Sequence, residues 1–200
     1  MSLKHRLMFS AAAVCATALL AGTFVIAEDK AAPPKMDEAA MQKAWMDYAT
    51  PGEQHKSMAT RAGTWEATIE DFSSGQAMVS KGTLKRTMIF DGKYMQEDFE
   101  SNFMGMPFKG HGMLGFDNNS QEFFYFWIDN MGTGYSRSSG KPNGNKTEMI
   151  GEMTSPFGMV KTRIMIDIVD DNTDTMEMFS DMGMGGEEKR FMKITYTRSK

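Results

Sequence analysis

The charged residues best placed to do chemistry in this 200-residue sequence are Arg86 and Glu97. The dipeptide Asp91-Gly92 between them favours a two-residue β-hairpin loop, and the register of that hairpin sets Arg86 directly opposite Glu97. The same register places two apolar pairs on the face that carries the charges: Met88 with Met95, and Leu84 with Phe99. An arginine on an inward apolar face would bind a carboxylate or another anionic group of a ligand. The alternative is an ion pair that is purely structural or faces water.

A second group of candidate residues lies in the run QEFFYFWIDN at residues 121–130. In a strand, Tyr125, Trp127 and Asp129 share one face, and the apolar residues between them share the other. A strand that is apolar on both faces must be shielded from water on both. We therefore expect one face to line an interior cavity and the other to lie under an N-terminal helix. Tyr125, Trp127 and Asp129 would then contact a ligand, with core packing as the alternative.

Residues for the common catalytic and metal-binding motifs are scarce. After residue 27 the sequence has no cysteine and only two histidines, His55 and His111, which are far apart. It also lacks the fingerprints of serine hydrolases, zinc proteases and nucleotide-binding loops. We therefore predict no catalytic residue, no metal site and no cofactor. An enzyme that uses Glu97 or Asp129 as an acid or base is the alternative.

Methionine is the most over-represented residue type, with 22 in the chain, of which only Met1 and Met8 precede residue 28. Beyond that point there are only two leucines, Leu84 and Leu114. Because methionine is close to leucine in volume, we expect it to replace leucine in the core. Thioethers also bind Cu(I), so a copper site is the alternative. Its candidate ligands would be Met104, Met106, Met176, Met178, Met182 and Met184.

The first 27 residues have the pattern of a secretory signal peptide. The basic start Lys4-His5-Arg6 precedes an apolar stretch over residues 7–26, and Ala27 ends a site suited to signal peptidase. We expect cleavage after Ala27 and export to the periplasm or the medium, with an uncleaved membrane anchor as the alternative. Residues 28–35 contain two prolines and are predicted to be a disordered linker.

The rest of the chain is acidic and has no second apolar segment of membrane-spanning length. The formal net charge of the whole sequence is −4, and the signal peptide holds Lys4 and Arg6 among its positive charges. The clustered lysines and arginines that phosphate binding requires are absent from this part of the sequence. We therefore expect no nucleic-acid partner and no membrane insertion after cleavage, and the sequence makes no prediction of the oligomeric state.

One helix is predicted ahead of the strands. Residues 36–49 begin with acidic side chains, which suit the helix dipole, and Thr50-Pro51-Gly52 ends the helix. A further helical turn at residues 53–62 completes an N-terminal helical segment over residues 36–62. Three apolar residues of the first helix recur at helical spacing: Met41, Trp45 and Tyr48.

From Gly63 onward, apolar and polar residues alternate with the period of β-strands. Connections as short as the ones here join antiparallel neighbours, and the sheet would expose two edges unless it closes. We therefore predict an all-β domain over residues 63–200, an antiparallel up-and-down barrel of about ten strands preceded by one N-terminal helix. A two-sheet sandwich is the alternative. The predicted strands are residues 63–71, 77–90, 93–103, 108–116, 122–130, 133–139, 146–154, 160–170, 173–181 and 188–198.

Several motifs resemble a bacterial family known as domain of unknown function 1579. The most specific are MGMPFKGHGMLGFDN within residues 90–118 and WIDNMGTG within residues 126–134. Further stretches at residues 41–67 and 194–198 extend the resemblance over residues 36–198. The family name implies no activity.

A weaker likeness is to the lipocalin-like, or calycin, barrels, in which Gly-x-Trp opens the first strand and a late basic residue packs over the tryptophan. Gly63 and Trp65 open the first predicted strand here, and Arg198 closes the last. The likeness implies that Trp65 and Arg198 seal one end through a cation–π contact of about 1 kcal/mol. It also implies that the other end admits a hydrophobic ligand. The predicted strand number is nearer to the fatty-acid-binding and nitrobindin-like barrels.

The function that these patterns favour is binding of a small lipophilic molecule inside the barrel. The residues expected near that cavity are Arg86, Glu97, Tyr125, Trp127 and Asp129.

Overall fold

The structure is a computed structural model, and it describes residues 37–103 and 105–200. The predicted signal peptide at residues 1–27 and the predicted linker at residues 28–35 lie outside the described residues. So does Met104, one of the candidate copper ligands. Within the described ranges, none of the helices has the length and apolar character needed to span a bilayer.

The strands form one closed antiparallel barrel, as predicted from the alternation. Apart from β6 and β7, each strand pairs with the next along the chain. The first strand pairs with the last, and β6 pairs with β8 to close the ring. The two-residue β7 extends β6 along β8, so the wall has ten strand positions. The strands are β1 Gly63–Asp71, β2 Met78–Ile89, β3 Tyr94–Phe103, β4 Met106–Asp117, β5 Glu122–Asp129, β6 Ser136–Gly140, β7 Pro142–Asn143, β8 Lys146–Ser155, β9 Gly158–Asp170, β10 Thr173–Ser180 and β11 Lys189–Arg198.

The predicted register of the β2–β3 hairpin is confirmed residue by residue. Arg86 lies opposite Glu97, and the apolar pairs on the same face are those expected from the loop. Asp91 and Gly92 have φ angles of +57° and +81°, the left-handed conformation that a twisted two-residue loop needs. This face points into the barrel, because Leu84 and Met95 on it are only 1% and 2% exposed.

Two clusters of buried side chains fill part of the interior. One surrounds Trp65, which is completely buried, and contains Leu84, Phe99 and Tyr196. The other surrounds Met149 and includes Met58. Methionines therefore contribute to the core beside very few leucines, as the composition predicted.

Two helices precede the barrel, α1 at Glu38–Ala49 and α2 at Glu53–Thr60. Helix α2 lies against one end of the barrel and inserts Met58 into the core, where that side chain is 3% exposed. Near the end of helix α1, the side-chain amide of Asn118 donates to the carbonyls of Tyr48 and Thr50.

The expected cover of β5 by α1 is wrong. No residue of α1 is buried, and Trp45 of its apolar stripe is 65% exposed. The outward side chains of Phe126 and Ile128 remain 41% and 43% exposed. Spacing along the helix predicted which residues form an apolar stripe, but it did not predict what that stripe contacts.

Candidate functional site

A buried network of four charged side chains crosses the barrel interior. The Arg86 guanidinium donates from Nε to Oε1 of Glu97 at 2.8 Å and from Nη1 to Oδ2 of Asp174 at 2.5 Å. Arg61, just after α2, donates through Nε to Oδ2 of Asp174 at 3.3 Å and forms a second ion-pair contact with Oδ1. All four side chains are 5% to 9% exposed. Two positive and two negative charges thus neutralise one another away from water.

Sequence reasoning missed two members of this network, Arg61 and Asp174. A signal for Asp174 was present, because it precedes Met176 and Met178 in the alternation that assigned those methionines to the interior. Arg61 offered no such signal, since it follows a helix and its partner lies 113 residues away.

The network keeps Arg86 charged and leaves it committed to protein carboxylates. Burial by itself would lower the pKa of Arg86, but the negative charges of Glu97 and Asp174 outweigh burial and raise that pKa above its ordinary value. The Tyr125 hydroxyl donates to Oε2 of Glu97 at 2.9 Å. Burial, and then the charge of Glu97, raise the pKa of Tyr125 well above the usual value for tyrosine. Both carboxylate oxygens of Glu97 therefore have donors.

Two cavities lie in the barrel, on either side of Tyr125, Met176 and Tyr196, which line both. The smaller, of about 90 Å³, lies next to α2 and contacts the charged network. The larger, of about 420 Å³, extends to the opposite end, where its lining includes residues of the β1–β2, β5–β6 and β10–β11 loops. This larger volume is called the main cavity below.

The five predicted ligand-binding residues do not line one cavity. Trp127 and Asp129 line the main cavity only, and Tyr125 lines both volumes. Arg86 and Glu97 line only the small volume beside α2. The inward face of β2 and β3 runs the whole height of the barrel. Alternation predicts which residues lie on that face, but it does not predict at which height a cavity remains.

The lining of the main cavity is apolar, with a few polar groups near its outer end. Its only charged residues among those described are Asp71 and Asp129. The Asp129 carboxylate accepts from Nε1 of Trp127 at 3.1 Å and from the backbone N–H of Met131 at 2.9 Å. Aromatic side chains in the wall are Phe99, Phe103, Phe108, Tyr125, Trp127, Tyr135, Phe191 and Tyr196. Methionines in the wall are Met131, Met153, Met176, Met178, Met182 and Met192.

The end of the barrel beside α2 brings together Gly63, Trp65 and Arg198. The Arg198 guanidinium lies 4.3 Å from the centroid of the Trp65 ring, and it donates to the carbonyls of Ala62 at 2.8 Å and Thr60 at 2.6 Å. Gly63 has a φ of +124°, and a Cβ there would lie 3.2 Å from Nη1 of Arg198. This is the contact that the likeness to calycin barrels implied.

Comparison with known proteins places this fold in a family. Residues 50–198 match the family model described as "Protein of unknown function (DUF1579)". This chain belongs to the DUF1579 family. The resemblance seen in its motifs is thereby confirmed. No curated protein is similar enough to count as a match.

Solved structures with the fold of this DUF1579 protein have very different sequences. The crystal structure of Rv2717c from M. tuberculosis has a TM-score of 0.54 and 10% identity, covering 76% of this chain and 100% of that one. The S-type phycobiliprotein lyase CPES from Guillardia theta has a TM-score of 0.50 and 8% identity, covering 78% and 97%. A third structure, EF1p2_mFAP2b bound to DFHBI, has a TM-score of 0.42 and 12% identity, covering 72% and 98%. At identities this low, the first two of these structures show a shared fold alone.

The two histidines within the described part of the DUF1579 protein lie outside the main cavity. His55 accepts a hydrogen bond from the backbone N–H of Gly52 at 3.0 Å and packs edge-on against Phe116, and burial lowers the pKa of its ring. His111 contacts Asp98 at 2.8 Å on the outer face of the barrel. Across the described ranges, no cluster of three or more histidine, cysteine, aspartate or glutamate side chains forms a metal site.

The candidate methionine clusters are divided by the fold. Met176, Met178 and Met182 line the main cavity, whereas Met106 and Met184 are 50% and 78% exposed outside it. Met176 and Met178 also pack against the buried cluster around Met149. This placement favours the role of methionine as a packing residue.

Proposed function

We propose that this DUF1579 protein is a binding protein that holds a small, largely apolar molecule in the main cavity. The observation that carries the proposal is an interior volume of about 420 Å³ lined by aromatic rings, methionines and few polar groups. Ligand sites in proteins have volumes of roughly 300 to 1,000 Å³ and the same mixture of apolar wall and sparse polar groups. A volume of this kind exceeds the small packing voids expected in a close-packed core.

Access to the main cavity is proposed at the end opposite α2. Ser73, Met131, Tyr135 and Met182 belong to loops at that end, and all four line the cavity. The other end is occupied by α2, the charged network and the contact between Trp65 and Arg198. A ligand would therefore enter between loops and lie with its inner end near Tyr125 and Tyr196.

An enzyme that uses Glu97 as an acid or base is less well supported. Its two carboxylate oxygens accept hydrogen bonds from Arg86 and Tyr125, and it lines only the small cavity. Asp129 likewise has a donor on each oxygen. In both carboxylates, protein donors already use part of the acceptor capacity of each oxygen, and a general base must reach the proton that it takes up.

The binding proposal is tested with the neutral fluorescent probe N-phenylnaphthylamine. Ser80 lines the main cavity, so Ser80→Phe should fill part of that volume and weaken probe binding by about tenfold. Thr83→Phe adds the same ring to the same strand on the outward, exposed face and should leave binding unchanged. Equal affinities of the two variants, both shown to be folded by circular dichroism, would contradict binding in the main cavity.

The export of this protein is also proposed. It is supported by the basic start, the apolar stretch at residues 7–26 and the small residue Ala27 at the expected cleavage position. Fractionation of the producing cell, followed by intact-mass measurement, should find a chain that begins at Glu28 outside the cytoplasm. A full-length chain confined to the cytoplasmic fraction would overturn the proposal.

A further inference from the structure

The main cavity carries two carboxylates near its opening and no basic side chain among the described residues that line it. We propose that it selects lipophilic cations, meaning an organic ammonium group on an apolar body, over the anionic lipophiles that Arg86 was expected to bind. This inference rests on the proposed function and names the ligand class of the same site.

Asp71 is the first support for the inference. The residue is 6% exposed, and Oδ1 of its carboxylate accepts from the backbone N–H of Ser73 at 2.7 Å. The other oxygen, Oδ2, has no hydrogen-bond donor and no cationic partner in the described part of the chain. Its cross-strand neighbours are Met78 and Met192, which are uncharged. No buried side-chain oxygen of the described residues lacks a hydrogen-bond partner, so Oδ2 is an accessible oxygen. Because Asp71 lines the main cavity, this oxygen can pair with a cation from a ligand.

Asp129 is the second support. Two hydrogen bonds, from Trp127 and Met131, hold its carboxylate in place without neutralising its charge. Residues 37–103 and 105–200 contain no lysine or arginine in salt-bridge contact with it. Asp71 ends β1 and Asp129 ends β5, four strand positions apart in a ten-strand ring, so the two carboxylates lie on nearly opposite walls. Their negative potentials add at the centre of the opening.

The charged network does not offset this negative potential. Arg61 and Arg86 are matched by Glu97 and Asp174 at hydrogen-bond distance, so the group has no net charge. Tyr125, Met176 and Tyr196 separate the charged network from the main cavity, and all three are uncharged. The pKa values of the two tyrosines are raised, so both stay neutral. An anionic head group would therefore meet two carboxylates at the opening and no free cation inside.

The walls fit the apolar part of such a ligand. Phe99, Phe108 and Trp127 line the cavity, and an aromatic ring attracts an ammonium group that lies within about 6 Å of its centroid. The six methionines of the lining have flexible thioether chains that adapt to bodies of different shape.

The test compares three ligands that share one chain and differ in the head group: dodecylamine, dodecanol and dodecanoate. Each is titrated below its micelle concentration against the wild-type protein loaded with N-phenylnaphthylamine, at neutral pH and physiological salt. We expect dodecylamine to displace the probe at a concentration about tenfold or more below that of dodecanoate, with dodecanol between them.

Two variants separate the cavity carboxylate from the overall negative charge of the protein. Asp71→Asn keeps the acceptor for Ser73 and should remove most of the advantage of dodecylamine while leaving dodecanol unchanged. Glu70→Gln removes the same charge from the neighbouring, outward position on β1 and should have no effect. Loss of the advantage in both variants, or in neither, would overturn the inference.

The outcomes distinguish this inference from the proposed function. Dodecanoate that displaces the probe as well as dodecylamine does would overturn cation selection and leave ligand binding intact. Failure of the probe and of all three ligands to bind would overturn both.

Discussion

Oδ2 of Asp174 accepts a hydrogen bond from Nη1 of Arg86 at 2.5 Å, joining β10 to β2 across 88 residues of sequence. The same carboxylate also holds Arg61, which follows α2. One side chain therefore connects the first half of the barrel, the last half and the helix that closes one end. It lines the small cavity next to α2, which Tyr125, Met176 and Tyr196 separate from the main cavity.

Removing this carboxylate should strongly destabilise the fold. Asp174→Ala leaves two buried arginines with only Glu97 for compensation, and an uncompensated buried charge costs about 3–5 kcal/mol. Urea unfolding followed by tryptophan fluorescence measures the change. Glu148→Ala, which removes an exposed partner of Arg163, should cost less than about 1 kcal/mol. Similar losses in the two variants would show that the network is not the stabilising element described here.

Two buried tyrosines should respond differently to removal of their hydroxyls. Tyr125→Phe takes a donor from the buried carboxylate of Glu97 and should cost about 1–3 kcal/mol of unfolding free energy. The hydroxyl of Tyr196 makes no hydrogen bond within the described part of the chain, and Tyr196→Phe should change stability by less than about 0.5 kcal/mol. Chemical denaturation of both variants under one set of conditions measures the two losses of unfolding free energy. Equal losses would contradict the prediction.

The stability of the protein should fall at alkaline pH through the same two tyrosines. Burial first, and then the charge of Glu97, raise the pKa of Tyr125 and of Tyr196. Both therefore stay neutral in the folded state while they ionise in the unfolded chain above about pH 10, so stability present below that pH is lost as the pH rises.

Denaturation curves collected across the alkaline range measure this loss. Tyr196→Phe should reduce the slope of stability against pH by about one proton, or roughly 1.4 kcal/mol per pH unit. Tyr48→Phe, in the exposed helix α1, serves as the control and should keep the wild-type slope. An unchanged slope in Tyr196→Phe would mean that this hydroxyl titrates normally in the folded protein.

The contact between Arg198 and Trp65 should stabilise the end of the barrel without affecting the cavity. Arg198→Ala loses the stacking on Trp65 and three hydrogen bonds to the carbonyls of Asp171, Ala62 and Thr60, and we expect a loss of about 2 kcal/mol. Arg198→Lys should restore less than half of the lost stability. An ammonium group cannot stack on the ring and donate to several carbonyls at once, as a planar guanidinium does.

Arg190→Ala provides the matched control for this prediction. Arg190 also stacks on an aromatic ring, Phe72, and pairs with Glu177, but its side chain is 40% exposed. Its removal should cost less than about 1 kcal/mol. Binding of N-phenylnaphthylamine should be unchanged in Arg198→Ala, since the main cavity lies towards the other end. A weaker probe affinity in that variant would show that the two ends are coupled.

The alternation after Gly63 and the short turns were sufficient to predict the barrel and the pairing of Arg86 with Glu97. Both are local properties: a strand turns successive side chains to opposite faces, and Asp91-Gly92 selects one loop geometry and hence one register. The inward alternation also contained Asp174, although the prediction did not use it.

Only closure of the barrel decided which inward residues meet. The pairing of β6 with β8 closes the ring, and the register around it brings Asp174 to Arg86 and Arg61. Where space remains depends on the volumes of all the inward side chains at each height, so Asp71 lines the main cavity while Arg86 does not. The residue types and the face of each strand follow from local chemistry, whereas the division of the interior follows from packing among residues far apart in the chain.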